Sequence, residues 1–331
     1  FGARAGMGRG EGRMESRLVG RIVLGVLGTI AWLYATSPSW ARSLAGGALG
    51  KLLLAFHPRA KVVRQNLEIA FPGNEAQAVQ RRKRLFSSAY EHLGHLILEV
   101  LTLLAPGERM KRYVLGQVTL TGAENWKAAH EQGKGVIFLA SHVGNWEIMA
   151  ASGALLIPGM ELTLVTKHLK PEWLHQAIEK GRASCRVKAT YEPRTLRDVL
   201  AALKKKQTVG FVLDQYAGPP IGVRVPVFGT PVGTTTAIAT LAKRTGAPVL
   251  PVVNYRVPGG GWRVDIRPAL EWAPHEVSTY ELAHNTAGYA ADLERDIYAH
   301  PEQWLWIHRR FKGNLEPLRS DEWHAGRPRH S

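Results

Sequence analysis

The sequence predicts an α/β fold, a mostly parallel sheet covered by helices, carrying an N-terminal helical membrane anchor. Three observations predict it. From about Val118 onward, short β-rich apolar runs alternate with helical stretches, the pattern of a parallel sheet with crossover helices. Residues 18–34 are almost entirely apolar. Between the two regions, residues 75–104 read as one helix whose second half is apolar.

The anchor comes first. The chain opens on Phe1 and a Gly/Arg-rich stretch, and Met14 begins a more natural-looking start, so residues 1–13 are expected to be a flexible tail. Residues 14–60 are read as the membrane-anchoring segment. The run at 18–34 is at the short limit for a spanning helix, and it contains Arg21. Ala35-Thr36-Ser37 resembles a weak signal cleavage site, but the aromatic end Ala31-Trp32-Leu33-Tyr34 fits an interfacial anchor better. Arg13, Arg17 and Arg21 keep the N-terminus cytoplasmic under the positive-inside rule. Residues 48–56 add a second apolar stretch in which Lys51 is free to snorkel.

The helix at 75–104 ends at Pro106-Gly107. His92 and His95 within it are read as ordinary helix residues. Strands are expected at 135–140, 162–166, 209–213, 249–253 and 262–266, with helices near 124–130, 147–156, 172–182, 195–205 and 235–245. A catalytic domain is expected over residues 61–315, followed by a tail at 316–331.

Charge narrows the partners. The chain has 43 Lys+Arg against 27 Asp+Glu, a net charge of +16, so its surface attracts anions. The positive residues are spread along the chain, and no zinc-finger spacing, aromatic RNP-like strand or basic zipper accompanies them, which argues against nucleic acid. Anionic lipid, a phosphorylated substrate or an acidic protein remain. Cys185 is the only cysteine. It cannot form an intramolecular disulfide, and it is activated only if Arg182 and Arg186 lie close to its sulfur.

In an open α/β sheet, active groups gather beyond the carboxyl ends of the strands. The run GVIFLA leads directly into Ser141-His142-Val143-Gly144-Asn145-Trp146-Glu147, bringing an imidazole and a carboxylate to that edge. The spacing by itself is weak. With 13 His and 27 acidic residues in the chain, about one His-x4-Asp/Glu match is expected by chance, and His142 supplies it. Context raises its value: a hydrophobic strand precedes it, and Gly144-Asn145 and a helix follow. Five residues on an ideal helix turn about 140° past a full turn. His142 is therefore expected in the loop or first turn, with Glu147 just inside the helix and folded back to the imidazole, Gly144 allowing the tight backbone. Such a pair suits deprotonation of a hydroxyl that attacks an acyl thioester. Neutral imidazole is matched to that step near neutral pH, and a carboxylate on its other nitrogen fixes the tautomer. A histidine hydrogen-bonded for structural reasons at a strand end is the competing reading. No Gly-x-Ser-x-Gly elbow, His-Glu-x-x-His site or phosphate loop is present, and neither a metal nor a cofactor is expected.

Four blocks together resemble the bacterial lipid A late acyltransferases of the lysophospholipid acyltransferase superfamily, with phosphatidylinositol mannoside acyltransferases as relatives. The blocks are VVRQNLEIAFPG, LTGAENWKAAHEQGKGVIFLASHVGNWEIM, FVLDQYAGPPIGVRVPVFGTPVGTTTAIATLAKRTGAPVLPVV and PEQWLWIHRRFK. Their order, from about Val62 to Lys312, is more specific than any one motif. The resemblance implies that His142 and Glu147 are the family's catalytic pair. It implies a donor thioester on an acyl carrier protein or coenzyme A, a glycolipid acceptor and contact with membrane lipids. A cytoplasmic donor puts the catalytic domain on the inner face of the cell inner membrane, peripheral or monotopic. There is one departure: where family members often carry an aromatic-Arg-Pro triplet, this chain has Thr166-Lys167-His168. Lys167 keeps a positive charge but lacks the guanidinium fork.

Further candidates for substrate binding follow from place and block. Asn145 lies inside the core motif. Asp214 and Gln215 end the strand VGFVL. Thr235, with Thr234 and Thr236, is read as opening a helix after Gly233, a place for a cap or for an anion at a helix N-terminus. Arg309 and Arg310 in the closing block are read as a solvated face or as contacts to a phosphate or an acidic partner, and Arg182 is a candidate of the same kind. Trp304 and Trp306 are read as core.

Overall fold

The computed structural model describes residues 7–105 and 107–313, with side chains from Val19 onward. The chain begins with helices: α1 (Met7–Thr36), α2 (Ser39–Phe56), α3 (Ala60–Ala70), α4 (Ala76–Leu101) and, after a 3-10 turn at Thr102–Leu104, α5 (Glu108–Leu115). Strand and helix then alternate: β1 (Val118–Thr121), α6 (Ala123–His130), β2 (Val136–Ala140), α7 (Trp146–Leu156), β3 (Leu162–Val165), α8 (Glu172–Ser184), β4 (Val187–Thr190), α9 (Thr195–Lys204) and β5 (Thr208–Val212). A hairpin of β6 (Gly222–Val227) and β7 (Thr230–Thr235) interrupts the alternation. It is followed by α10 (Ala237–Thr245), β8 (Val249–Arg256), β9 (Trp262–Ile266) and α11 (Ser278–Ala299).

Seven strands form the main sheet in the order β1-β9-β8-β2-β5-β3-β4. All neighbours are parallel except β8 and β9, so β9 and β1 run against the other five. The central strand β2 is buried along its whole length, and its side chains divide by the period of two. Val136 and Phe138 join one core with Ile148, Ala151 and Ile178 of α7 and α8. Ile137 and Leu139 join another with Val199, Ile238 and Leu293 of α9, α10 and α11. Helices thus cover both faces, as a parallel sheet with a buried apolar centre requires. A third core under α3, α4 and the hairpin takes in Trp304, Trp306 and Phe311 from the C-terminal segment.

Every expected strand is present. Strands β1 and β4 and the hairpin were not foreseen: β1 and β4 are four-residue edge strands, too short for a periodic signal. The helix expected at 235–245 starts at Ala237, because Thr234 and Thr235 complete β7. At the N-terminus the helix begins at Met7, within the stretch expected to be a tail. Residues 1–6 and 314–331 of the expected tails lie outside the described residues.

The window Val19–Thr36 of α1 is long and apolar enough to cross a membrane, with mean hydropathy 1.5. One stripe of α1 lies against the body. A Cβ on Gly20 would meet Trp173 of α8, Gly28 faces the carbonyl of Leu104, Ala31 is fully buried, and the Tyr34 ring packs 6.4 Å from that of Tyr113. The opposite stripe, with Val19, Ile22, Val26 and Leu33, is exposed.

Candidate active site

Strand pairing creates the site. Strands β2 and β5 are parallel neighbours with Ala140 opposite Val212, and the Leu213 amide continues the ladder to the Ala140 carbonyl at 2.9 Å. His142 and Asp214 each follow their strand end by two residues and meet beyond the carboxyl edge. Asp214 Oδ1 accepts from His142 Nδ1 at 2.7 Å, and its Oδ2 accepts the His142 backbone N–H at 2.8 Å. Trp304 Nε1 donates to the same Oδ2 at 2.6 Å. A carboxylate on Nδ1 assigns the proton there and leaves Nε2 as the basic nitrogen. Gln215 then donates its amide to His142 Nε2 at 3.3 Å.

Burial opposes charge on Asp214. The His142 ring beside it and the hydrogen bonds from that ring, Trp304 and the His142 backbone outweigh burial and hold its carboxyl down at about 2. It is an anion at any physiological pH, aimed at the imidazole.

This corrects the sequence reading of Glu147. Glu147 does lie just inside α7, but it turns away from the imidazole to Arg182, accepting from Nη2 at 2.6 Å and from Nε at 2.9 Å. It also accepts from Trp146 Nε1 at 3.2 Å. The Trp146 ring in turn stands edge-on to His142, with centroids 4.6 Å apart. Glu147 therefore touches the histidine through Trp146 rather than directly. Arg182 is buried, and a third donor goes to Glu179 at 2.9 Å. Burial works against its charge, but Glu147 and then Glu179 raise its pKa above the usual guanidinium range. Its guanidinium is engaged by protein carboxylates rather than open to a phosphate.

The loop between β2 and α7 is shaped by backbone requirements. Gly144 has φ +68°, and a Cβ there would sit 2.2 Å from the Asn254 carbonyl oxygen, so only glycine fits. Asn145 is fully buried and caps α7, its side chain accepting from the amides of Glu147 and Ile148. Its own amide donates to Glu99 Oε2 at 3.3 Å, and its backbone exchanges two hydrogen bonds with the Asn254 side chain. Glu99 is held in turn by Arg256 at 2.7 Å. Asn145 is thus a cap within a sealed network, not a group open to substrate.

The C-terminal segment straps both halves of the site together. The Gln303 carbonyl accepts from the Gly144 amide at 2.9 Å, and the Leu305 amide donates to the His142 carbonyl at 3.2 Å. The His308 ring lies parallel to His142 at 6.0 Å; its Nδ1 is shielded without a hydrogen-bond partner among the described residues, and burial pushes its pKa down. Arg310 is buried and donates to the Gln215 carbonyl at 2.7 Å, the Gly233 carbonyl at 3.0 Å and Thr234 Oγ1 at 2.6 Å. It is a clamp between the Asp214-Gln215 turn and β7, not a phosphate contact. Arg309 beside it is exposed. Thr235 Oγ1 accepts from the Ala237 amide at 3.2 Å, a local contact at the strand end. Lys167 is exposed at the rim, reaching Gln215 Oε1 at 3.4 Å.

The structure therefore gathers His142, Asp214, Gln215 and Lys167, and keeps Glu147 with Arg182 one layer away. Trp304, Glu99 and Asn254 were missed as positioning groups; for Trp304 the signal was its place in the closing block. Cys185 is fully buried, and burial raises its thiol pKa, so the activation considered from Arg182 and Arg186 is absent.

Residues 12–313 match the family described as bacterial lipid A biosynthesis acyltransferase. The lipid A biosynthesis lauroyltransferase of Escherichia coli K12 is 29% identical over 296 residues, 88% of this chain and 92% of that protein. The lipid A biosynthesis palmitoleoyltransferase of the same organism is 29% identical over 293 residues, 87% of this chain and 89% of its own. A phosphatidylinositol mannoside acyltransferase of Mycobacterium tuberculosis is 27% identical over 297 residues, 87% of this chain and 90% of its own. With its described helices and mostly parallel sheet inside the matched span, the chain belongs to the bacterial lipid A biosynthesis acyltransferase family and is an acyltransferase.

Proposed function

We propose that this protein moves a fatty acyl chain from a thioester of acyl carrier protein or coenzyme A to a hydroxyl of a glycolipid, a lipid A precursor, with His142 as general base. The carrying observation is the 2.7 Å bond from His142 Nδ1 to Asp214, which leaves Nε2 as the unprotonated, basic nitrogen. The acceptor hydroxyl gives its proton to Nε2 while its oxygen attacks the thioester carbonyl. The tetrahedral intermediate collapses by breaking the C–S bond, and the departing thiolate takes the proton back from Nε2. Asp214 stabilises the imidazolium between these steps. Gln215, now on Nε2, yields to the hydroxyl and turns its amide to the developing oxyanion, with Lys167 behind it. Glu147 and Arg182 fix Trp146 against the imidazole.

Consumption of acyl thioester with and without glycolipid acceptor tests this reading. Acceptor-dependent consumption is expected, with His142→Ala lowering it by a factor of about 10²–10⁴. Equal consumption without acceptor would make the protein a thioester hydrolase, and none with either would leave a lipid-binding protein on the same fold. The family's relatives name both lipid A and phosphatidylinositol mannoside acylation. Mass spectrometry of lipids from a deletion strain separates the two acceptors.

The same reading puts the body on the cytoplasmic face of the inner membrane as a monotopic protein. Its support is the packing of α1 along the body from Gly20 to Tyr34, since a helix bound along its length to a folded body does not cross a bilayer alone. Labelling a surface cysteine in a Cys185→Ser background, in intact right-side-out vesicles, is expected to fail from outside. Labelling from that side would mean a spanning anchor.

A further inference from the structure

Helix α2 carries apolar side chains on its outer side as well as its inner one. Its inner face combines Gly46 and Gly50 with Leu53 and Leu54, which pack against the core under α3 and α4. Gly46 lies so close to α4 that a Cβ would strike the His95 ring, and a Cβ on Gly50 would sit 2.6 Å from the Glu91 Cα. From the other side, a Cβ on Gly94 would sit 2.3 Å from the Gly50 amide nitrogen. Gly46 and Gly50, four apart, let the backbones of α2 and α4 come into contact. Four large apolar side chains face outward: Trp40 is 70% exposed, Leu44 68%, Leu52 55% and Phe56 77%. At 100° per residue these four span one arc of the helix. The residues that share the arc are Ala41, Ala45, Ala48, Ala55 and Lys51, so it carries a single charge. A solvated helix carries polar residues on its outward face.

We infer that this outer arc of α2 is a second lipid-facing surface, lying in the headgroup and acyl boundary of an anionic bilayer. A lipid surface is preferred over a protein partner on charge. Lys51 lies within the arc, and Arg59, Lys61 and Arg64 are exposed just beyond its C-terminal end on the turn and first turns of α3, within a chain of net charge +16. Aromatic and aliphatic side chains at the acyl boundary with cations at the phosphates are the composition of an interfacial helix. The inference rests on the monotopic reading of α1 and adds to it a fixed orientation. Helix α4 joins the two regions: its Gly94 touches α2, while its Glu99 hydrogen-bonds Asn145 in the loop that carries His142. Lipid contact at α2 thus holds the catalytic loop one helix layer from the bilayer that contains the acceptor.

The test places an environment-sensitive fluorophore on single cysteines in the full chain, in a Cys185→Ser background. Leu44→Cys and Phe56→Cys report α2, Val26→Cys reports α1, and Glu131→Cys, exposed after α6, is the aqueous control. After reconstitution into vesicles of phosphatidylglycerol and phosphatidylethanolamine, labels at 44 and 56 are expected to be quenched by lipids brominated on their acyl chains. They are expected to resist aqueous iodide, with the opposite result at 131. Quenching of 26 but not of 44 and 56 by brominated lipid overturns this inference and leaves the α1 reading intact. Absence at all three overturns both. Labels at 44 and 56 shielded from iodide and from brominated lipid alike would mean that a second copy of the chain covers α2, which also overturns it. A Leu44→Glu/Phe56→Glu variant supplies the functional arm. It should keep its turnover on detergent-dispersed acceptor and lose it several-fold on vesicle-embedded acceptor. Equal loss on both substrates refutes a role at the lipid surface.

Discussion

Replacing Asp214 by Asn changes one carboxylate oxygen to an NH2 group, and the hydrogen bonds around it dictate which one. The Oδ2 position receives two donors, the His142 backbone N–H and Trp304 Nε1–H, while the Oδ1 position faces only His142 Nδ1. An NH2 group at the first position would leave two buried donors without an acceptor, at about 1–3 kcal/mol each. At the second, one N–H pairs with Nδ1 if the imidazole gives up its Nδ1 proton and carries it on Nε2, with the Gln215 amide turned to present its oxygen, and both donors at the first position keep their acceptor. The variant therefore folds with His142 in the tautomer that cannot accept a proton from a hydroxyl. A wrong tautomer in the serine-protease triad lowers turnover by about 10⁴, and general-base catalysis as a whole is worth about 10²–10⁴. Asp214→Asn should thus lower kcat by 10²–10⁴, or about 3–5 kcal/mol at 1.36 kcal/mol per decade, with little change in KM. The assay is single-turnover acyl transfer at saturating thioester and acceptor, paired with a thermal melt. A folded variant within tenfold of wild-type kcat would refute the His142–Asp214 reasoning.

Glu147→Gln should fall much less in kcat than Asp214→Asn under the same assay, because Glu147 bonds Arg182 and Trp146 rather than the imidazole; a loss as deep as that of Asp214→Asn would restore Glu147 as the direct partner. Arg310→Met removes three buried hydrogen bonds and should lower both the melting temperature and kcat, whereas Arg309→Met, at an exposed position, should change stability by no more than about 0.5 kcal/mol. Acid stability follows from Asp214, whose pKa falls from the ordinary 3.8 to about 2. A depressed carboxyl stabilises the fold above its unfolded pKa and loses that contribution as pH falls through the folded one, so the loss runs from about pH 4 to pH 2 and amounts to about 2 kcal/mol. Chemical denaturation across that window should show wild type losing this increment and Asp214→Asn lacking it.

The central strands were legible because each was a continuous apolar run of five residues or more, too β-branched and too short for a helix. The edge strands β1 and β4 were not. Val118–Thr121 and Val187–Thr190 each carry exposed polar residues, and what makes them strands is their pairing with β9 and β3, a tertiary fact. The hairpin was hidden for a related reason. Its apolar residues Val225, Val227 and Val232 pack beneath α11 and the C-terminal segment, far from it in sequence.

The site was legible in its first member and not in its second. His142 announced itself as an imidazole at the end of an apolar strand. Sequence spacing then favoured the nearest downstream carboxylate, Glu147, since proximity along the chain is the only distance a sequence displays. The carboxylate that meets the imidazole is 72 residues away, and what brings it there is the parallel register of β2 with β5. Two side chains at equal offset from paired strand ends share a location beyond the sheet edge, so for any histidine at a strand end, the acid at the same offset on the adjacent strand competes with the acid on the following helix. Helix geometry did not separate the two: Glu147, inside the first turn of α7 capped by Asn145, was compatible with a fold back to the imidazole, and the packing of α8 turns its carboxylate to Arg182 instead. The closing block was decisive for the same reason. Its tryptophan was read as core and its buried arginine as a solvated face or a contact to a phosphate or an acidic partner, yet each donates to the turn after β5. They hold the second half of the site in place although they come ninety residues later in the chain.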